Sequence, residues 1–225
     1  MSEKKKIIIT IARQYGSGGA DTGKKLAEDL GISFYDKNIL RMNSDESGIK
    51  ESYFHLADEK AGNRLLYKII NTLTPEKGAP SFGSDLISAD NLFRFQSEVI
   101  RKLAAEESCV IIGRCADYAL ADNPNHLSIF IHAPMDVRIQ RVAKRQNITP
   151  EKARSLIIKT DKRRASYYEY YSSQKWGAVE SYDFCMDSSY LGLGGTVELI
   201  RAMVEHKEHP ILSPTEEDPT RPAEK

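Results

Sequence analysis

Residues 7–12, Ile-Ile-Ile-Thr-Ile-Ala, run directly into Arg13-Gln14-Tyr15-Gly16-Ser17-Gly18-Gly19, and this junction constrains the fold more than any other part of the 225-residue chain. A short β-branched run that is apolar at consecutive positions predicts a strand buried on both faces, as in a parallel sheet. Residues 21–30 place Leu26, Ala27 and Leu30 at core spacing and end at Gly31, which predicts a helix with a glycine stop. Residues 32–35 predict a second short strand. A strand, a glycine loop and a helix start in that order make a phosphate-binding device. The glycines let backbone N–H groups converge on an anion, and the helix dipole favours negative charge there. The predicted cradle is Gly16, Ser17, Gly18 and Gly19 with the helix start Ala20, Asp21 and Thr22.

The rest of the chain alternates. Residues 37–91 are polar and interrupted by Gly48, Gly62, Pro75, Gly78, Pro80 and Gly83, so they predict a partly helical insertion. Within it, Leu66, Ile69, Ile70 and Leu73 give helical periodicity over 63–73. Beyond it the pattern predicts a helix over 92–107, a strand at Cys109–Ile112 and a strand over 127–132. Helices over 133–146 and 150–171 follow, then a short strand over 184–186 and a last helix over 196–205. Strands alternating with helices predict an α/β fold with a mainly parallel sheet. Residues 209–225 carry Pro210, Pro214, Pro219 and Pro222 and little apolar content, so they read as a disordered tail after one domain over 1–208.

Composition excludes several classes. Lys+Arg and Asp+Glu are equal at 32 each, which argues against a nucleic-acid partner held by bulk charge. Cys109, Cys115 and Cys185 make neither a disulfide framework nor a zinc spacing and suit a reducing compartment. His55, His126, His132, His206 and His209 have no ligand spacing. No segment approaches the ~18 apolar residues of a membrane span, so the expectation is a cytoplasmic protein without a membrane partner.

Residues 9–30, ITIARQYGSGGADTGKKLAEDL, resemble the phosphate-binding segment of nucleoside monophosphate kinases of the cytidylate kinase type, and more closely the cytidylate kinase-like family of bacterial proteins. The resemblance continues through Phe34-Tyr35-Asp36-Lys37. Cys109-Val110-Ile111-Ile112-Gly113-Arg114 resembles the strand and G-R of the family's GRD motif. Asp161-x-x-Arg164 resembles the lid helix, and Asp187-Ser188-Ser189 the late D-T-S segment. It covers roughly residues 5–205 and implies a P-loop three-layer α/β/α fold, with a helical insertion over about 37–91 and an arginine-rich lid over about 144–172.

The departures are informative. In the ungapped register Gly19 stands where a P-loop lysine would be, and Ala20 where the magnesium-binding hydroxyl would be. A second register, Gly18-x-x-x-x-Gly23-Lys24-Lys25, ends in Lys25 instead of Ser/Thr and would start the helix only after Gly23. Arg13 is then the nearest group able to offset phosphate charge, and Lys24 and Lys25 read as a solvated face. Ser17 and Asp21 are candidate magnesium ligands, directly or through water, and Asp21 is alternatively a helix cap. The family's GRD acid is Cys115 here, read as a small buried residue, with Asp117 two residues later as its substitute.

Arg138, Arg141 and Arg145 share one helix face, as do Asp161, Arg164 and Tyr168. Lys159, Lys162 and Arg163 cluster beside them. Two such helices suit a lid closing over polyphosphate, since guanidiniums bind phosphoryl oxygens bidentately. Tyr167, Tyr168, Tyr170 and Tyr171 among these bases also admit a single-strand nucleic-acid reading, against which the zero net charge argues. The resemblance implies transfer of the ATP γ-phosphoryl, with Mg2+, to a small acceptor such as CMP, dCMP or another nucleoside monophosphate. Arg13, Arg138, Arg141, Arg145, Asp161 and Arg164 would be catalytic, and Arg41, Arg114 and Asp117 would hold the acceptor. The second reading is a nucleotide-binding sensor or interaction module of little activity, favoured by the missing lysine and hydroxyl.

Overall fold

A computed structural model describes residues 6–36, 64–73 and 89–208. In chain order these form β1 (Ile8–Arg13), α1 (Gly19–Leu30), β2 (Ser33–Tyr35), α2 (Arg64–Leu73), α3 (Ala89–Glu106), β3 (Cys109–Ile112), α4 (Ala116–Ala119), β4 (His126–His132), α5 (Met135–Gln146), α6 (Pro150–Ser172), β5 (Phe184–Asp187) and α7 (Ser188–Glu208). The five strands make one parallel sheet in the order β2-β3-β1-β4-β5. Arg41, the tail over 209–225 and most of the 37–91 segment lie outside the described residues.

The period of two along each strand builds the three layers. Ile8, Cys109 and Ile111 point to one face and pack with Val99, Ile100 and Leu103 of α3 and Leu66 and Ile69 of α2. Ile9, Ile11, Val110, Ile112, Ile129 and Ile131 point to the other, against Leu26 of α1 and Val197, Ile200 and Val204 of α7. Ile9 and Ile11 are completely buried, each worth about 1.5–3 kcal/mol relative to exposure. Both faces of β1 are thus covered, as the apolar run predicts.

Gly23 lies mid-helix in α1, where an added Cβ would fall 2.6 Å from Ile112 Cδ1 and 3.1 Å from Ile11 Cδ1. It lets helix and sheet approach closely, and the helix already begins at Gly19, so the register through Gly23-Lys24-Lys25 is not used. Lys24 and Lys25 pair with Glu28 and Asp29 one turn on, as a solvated face should.

Two elements differ from expectation. α7 begins at Ser188 rather than near 196, with its first turn separated from the rest by Gly192 (φ 66°, ψ −172°). The polar Ser188-Ser189 start and the glycine break hide that turn from apolar periodicity. α4 is a single turn, too short to show a period. α5 and α6 form a hairpin joined at Asn147, with Thr149 capping α6 and Pro150 as its first residue. Their apolar seam of Val142, Ala153 and Ile157 packs against Tyr15, which ties the hairpin to the glycine loop. Among the described residues no helix is long and apolar enough to cross a membrane.

Candidate active site

Ligands of open parallel sheets sit outside the carboxyl ends of the strands, where the strand order reverses. Here that edge carries Arg13 at the end of β1, Asp36 after β2, Gly113 after β3 and Ala133 after β4. The glycine loop leaves β1 with Gly16 and Gly18 at φ 82° and 84°. Gly16 is also walled in, since a Cβ there would meet Val142 Cγ2 at 2.8 Å and Arg138 O at 3.0 Å.

The hairpin braces this loop. Asp161 Oδ1 accepts the Tyr15 N–H at 2.7 Å, and its Oδ2 accepts from Arg138 Nη1 at 2.5 Å. The same Nη1 lies 3.3 Å from Tyr15 O. Arg141 Nη1 donates to Ser17 O at 2.9 Å and to Ser188 Oγ at 3.0 Å. Ser188 Oγ in turn donates to Ser17 O. Arg164 Nη1 donates to Arg13 O at 2.8 Å, with its guanidinium 5.5 Å from the Tyr15 ring centre. Three of the arginines expected to reach outward are therefore engaged by loop carbonyls. Arg138 is only 5% exposed and lines neither of the clefts described next, so with Asp161 it positions the loop.

The first cleft, about 350 Å³, is lined by residues 13–22 with Lys24, Arg141, Arg145 and Leu193. Ala20 and Asp21 belong to the first turn of α1, whose N–H groups have no intrahelical acceptor and face this space. Thr22 is buried and its N–H is taken by Gly18 O at 2.9 Å, yet it belongs to the lining of this cleft, with Oγ1 buried and without a hydrogen-bond partner. The two expected magnesium ligands separate. Ser17 is completely buried and its Oγ accepts the Gly19 N–H at 3.4 Å, so that hydroxyl is turned into the loop. Asp21 is exposed on the cleft wall, 3.4 Å from Arg145 Nη1, where a carboxylate could meet a hydrated cation carried by a polyphosphate. Among the described residues no group of His, Cys, Asp or Glu makes a metal site by itself.

The second cleft, about 560 Å³, lies between β3 and α6 and takes in Arg114, Asp117, Arg163, Tyr167 and Trp176. Its floor is unusual. Gly113, Arg114 and Cys115 are consecutive residues at φ 66°, 64° and 52°. For the two non-glycines this costs on the order of 1–3 kcal/mol each, and such strain collects at functional sites. Asp117 is buried, and its Oδ2 takes the Tyr168 hydroxyl at 2.7 Å. Burial raises its carboxyl, opposed by that hydrogen bond and by nearby backbone N–H groups. Burial, then Asp117, pushes the Cys115 thiol up to about 12, so it is a packing residue and not a thiolate at neutral pH. Trp176 meets Phe130 edge-on at 5.3 Å, closing the end of α6 against the sheet. The α6 tyrosines are mostly committed as well. Tyr171 stacks on Phe93 at 4.1 Å, Tyr167 meets both rings edgewise and Tyr168 is buried; Tyr170 alone is widely exposed, which is no stacking platform.

Arg13, Asp36 and Arg164 line both clefts. Arg13 Nη2 is 3.6 Å from Asp36 Oδ1, while Arg13 Nε and Asp36 Oδ1 are buried with no hydrogen-bond partner. Burial first, then Arg164 and Arg114, pulls the Arg13 guanidinium down to about 9, and Asp36 resists. Arg164 is also lowered, mainly by burial. Two guanidiniums still charged at pH 7, with one carboxylate between them, leave an excess of positive charge suited to an anion.

Sequence reasoning missed several members of the site. Asp36 was visible only as part of a matching tetrapeptide after β2. Gln14 accepts the Ala133 N–H through its side chain at 3.3 Å and carries no sequence signal of its own, and Ser188, visible only within the Asp187-Ser188-Ser189 resemblance, joins the loop to α7.

A parallel sheet with a glycine loop between its first strand and first helix, two clefts at its carboxyl edge and arginines around both defines a P-loop α/β protein. The chain belongs to the Cytidylate kinase-like family, whose model matches residues 8–190. It is similar to the cytidylate kinase of Methanopyrus kandleri, at 27% identity over 210 residues covering 88% of this chain and 93% of that protein. It is also similar to the cytidylate kinase of Pyrococcus abyssi, at 29% identity over 204 residues covering 89% and 94%. Among solved structures it resembles an uncharacterized protein from Eubacterium ventriosum, with a TM-score of 0.64 and 29% identity over 89% of this chain and 99% of that one.

Proposed function

We propose that this protein transfers the γ-phosphoryl group of ATP to a small acceptor held in the second cleft, a nucleoside monophosphate such as CMP or dCMP. The observation that carries this reading is that Arg13, Asp36 and Arg164 line both clefts, so a group in the first meets a group in the second beside two guanidiniums. Phosphoryl transfer needs positioning and charge stabilisation more than covalent help from the protein, and this is what those residues supply. The loop 16–19 and the start of α1 would hold the donor phosphates, with Arg145 and Lys24 at the rim. Asp21 would meet the magnesium ion, whose chemistry is to bridge and neutralise phosphate oxygens. Arg114 and Arg163 would take the acceptor's phosphate, and the family likeness to cytidylate kinases supports a cytosine nucleotide.

A second reading, a nucleotide-binding sensor with little turnover, is favoured by Gly19 and Ala20 in place of the lysine and hydroxyl. One assay separates the two: magnesium-dependent ATP turnover with CMP, dCMP, UMP, AMP and GMP, with Arg164→Ala as control. Turnover with one acceptor, lost in the control, is the expected result. ATP binding without turnover on any of the five would overturn the kinase reading in favour of the sensor.

A further inference from the structure

We propose that Arg13 replaces the absent P-loop lysine, and that Gly19 and Gly113 are the two vacancies through which its side chain is threaded to reach the transferring phosphoryl group. This rests on the kinase reading above.

The geometry fixes the side chain along its length. An ideal Cβ on Gly19 would stand 2.7 Å from Arg13 Cβ, 3.2 Å from Arg13 Cγ and 3.3 Å from Ile131 Cβ. The stem of Arg13 therefore already fills the space that any side chain at 19 would need first. At the far end, an ideal Cβ on Gly113 would lie 2.1 Å from Arg13 Nη1 and 3.3 Å from Cζ. The guanidinium occupies the space over Gly113, where the two clefts meet. Arg13 O is held by Arg164, and Nη2 faces Asp36 at 3.6 Å. Nε is buried with nothing to donate to.

A buried donor left without an acceptor is costly, and an anionic oxygen arriving there offsets that cost with a charge-assisted hydrogen bond. A P-loop lysine does the same work from the position of Gly19, reaching the β- and γ-phosphates. Here the cation starts six residues earlier, at the end of β1, and its guanidinium reaches the space over Gly113 from the sheet side. Lysine at 19 and arginine at 13 compete for one volume, so the chain can hold one or the other. During transfer, the bond between the γ-phosphorus and the β–γ bridging oxygen breaks, and a bond from an unprotonated oxygen of the acceptor phosphate to that phosphorus forms. ADP leaves with the electron pair, and Arg13 donates hydrogen bonds throughout without giving up a proton.

The test combines binding with a charge transplant. In calorimetry with magnesium, the wild type should prefer ATP over ADP. Arg13→Gln should reduce that preference by about tenfold to hundredfold while leaving ADP affinity within about twofold. Arg13→Lys, which retains a charge but loses the fork, should fall between. In turnover, Gly19→Lys should lower the rate, and Arg13→Gly with Gly19→Lys should recover more activity than either single substitution. Thermal melts of all variants identify any that fail to fold, and the conservative Arg13→Gln and Arg13→Lys pair stands alone if the glycine variants do. An unchanged ATP-over-ADP preference in Arg13→Gln, or a rate gain in Gly19→Lys alone, would overturn the assignment while leaving the kinase reading in place. A wild type that binds both nucleotides but transfers to no acceptor would defeat the kinase reading, and the assignment resting on it, without any variant.

Discussion

The first cleft is built around the glycine loop, with Gly16, Gly18 and Gly19 in its lining, whereas the second carries one glycine, Gly113, among larger side chains. Around the glycine loop, Arg138, Arg141, Arg164 and Asp161 hydrogen-bond backbone atoms and hold the loop shape before anything enters. In the second cleft Arg114 and Arg163 make no ion pair with any described residue, and Arg114 sits on backbone held in the left-handed region. A preformed cradle of N–H groups suits a phosphate chain, which every nucleotide donor shares. Side chains without an ion pair to a described residue, Arg114 on a strained turn and Arg163 on α6, suit discrimination among acceptors. Substitutions in the first region should therefore strike stability and donor binding together, and those in the second should separate acceptor binding from stability.

Arg138→Ala tests the first half of that contrast and carries the largest expected effect. It leaves Asp161 partly buried without its cation, and breaking such a pair costs about 3–5 kcal/mol. Chemical denaturation should show that loss, and ATP affinity in the surviving fold should fall because Tyr15 loses its brace. Arg114→Ala tests the second half. It should raise the acceptor's KM by about tenfold to hundredfold through a lost charge-assisted contact. Its melting temperature should stay at or slightly above that of the wild type, since alanine relieves no pair and removes only a long side chain. An equal fall in ATP affinity in Arg114→Ala would erase the distinction between the clefts.

The strongest parts of the architecture were legible because they are local. The apolar run over 7–12 implied a doubly covered strand, and the glycines after it implied a turn into a helix. Periodicity along α5 and α6 also showed which residues share a face. It could not show what lies opposite that face, so nothing in the sequence revealed that Arg138, Arg141 and Arg164 each donate to a backbone carbonyl at or beside the loop. Asp36 was illegible for a topological reason: β3 lies between β1 and β2 in the sheet, and only that order sets the residue after β2 beside Arg13. The left-handed run at 113–115 was hidden because only its first member is glycine. Gly19 looked like a loss in the linear motif, whereas in three dimensions it is the space that Arg13 fills.

The smallest effect sharpens the comparison within the second cleft, at Asp117, whose carboxyl meets the Tyr168 hydroxyl. Tyr168 Oη lies 2.7 Å from Asp117 Oδ2 and 3.0 Å from Gln174 Oε1, and a single hydroxyl proton cannot serve both. A protonated Asp117 would resolve this by donating to the tyrosine oxygen in place of accepting from it, which would free the tyrosine proton for Gln174. Burial raises the Asp117 carboxyl in the same direction. A carboxyl whose folded-state pKa is raised stabilises the fold below its unfolded value, near 3.8. That contribution is lost as pH rises, because the unfolded chain sheds the proton first. Asp117→Asn keeps a neutral donor at this position at every pH. Its melting temperature should match the wild type near pH 4 and exceed it at pH 7. Parallel melting curves across that range would show that Asp117 is ionised in the fold and that Tyr168 spends its proton on it, leaving the carboxylate as a standing negative charge that an acceptor phosphate would have to meet.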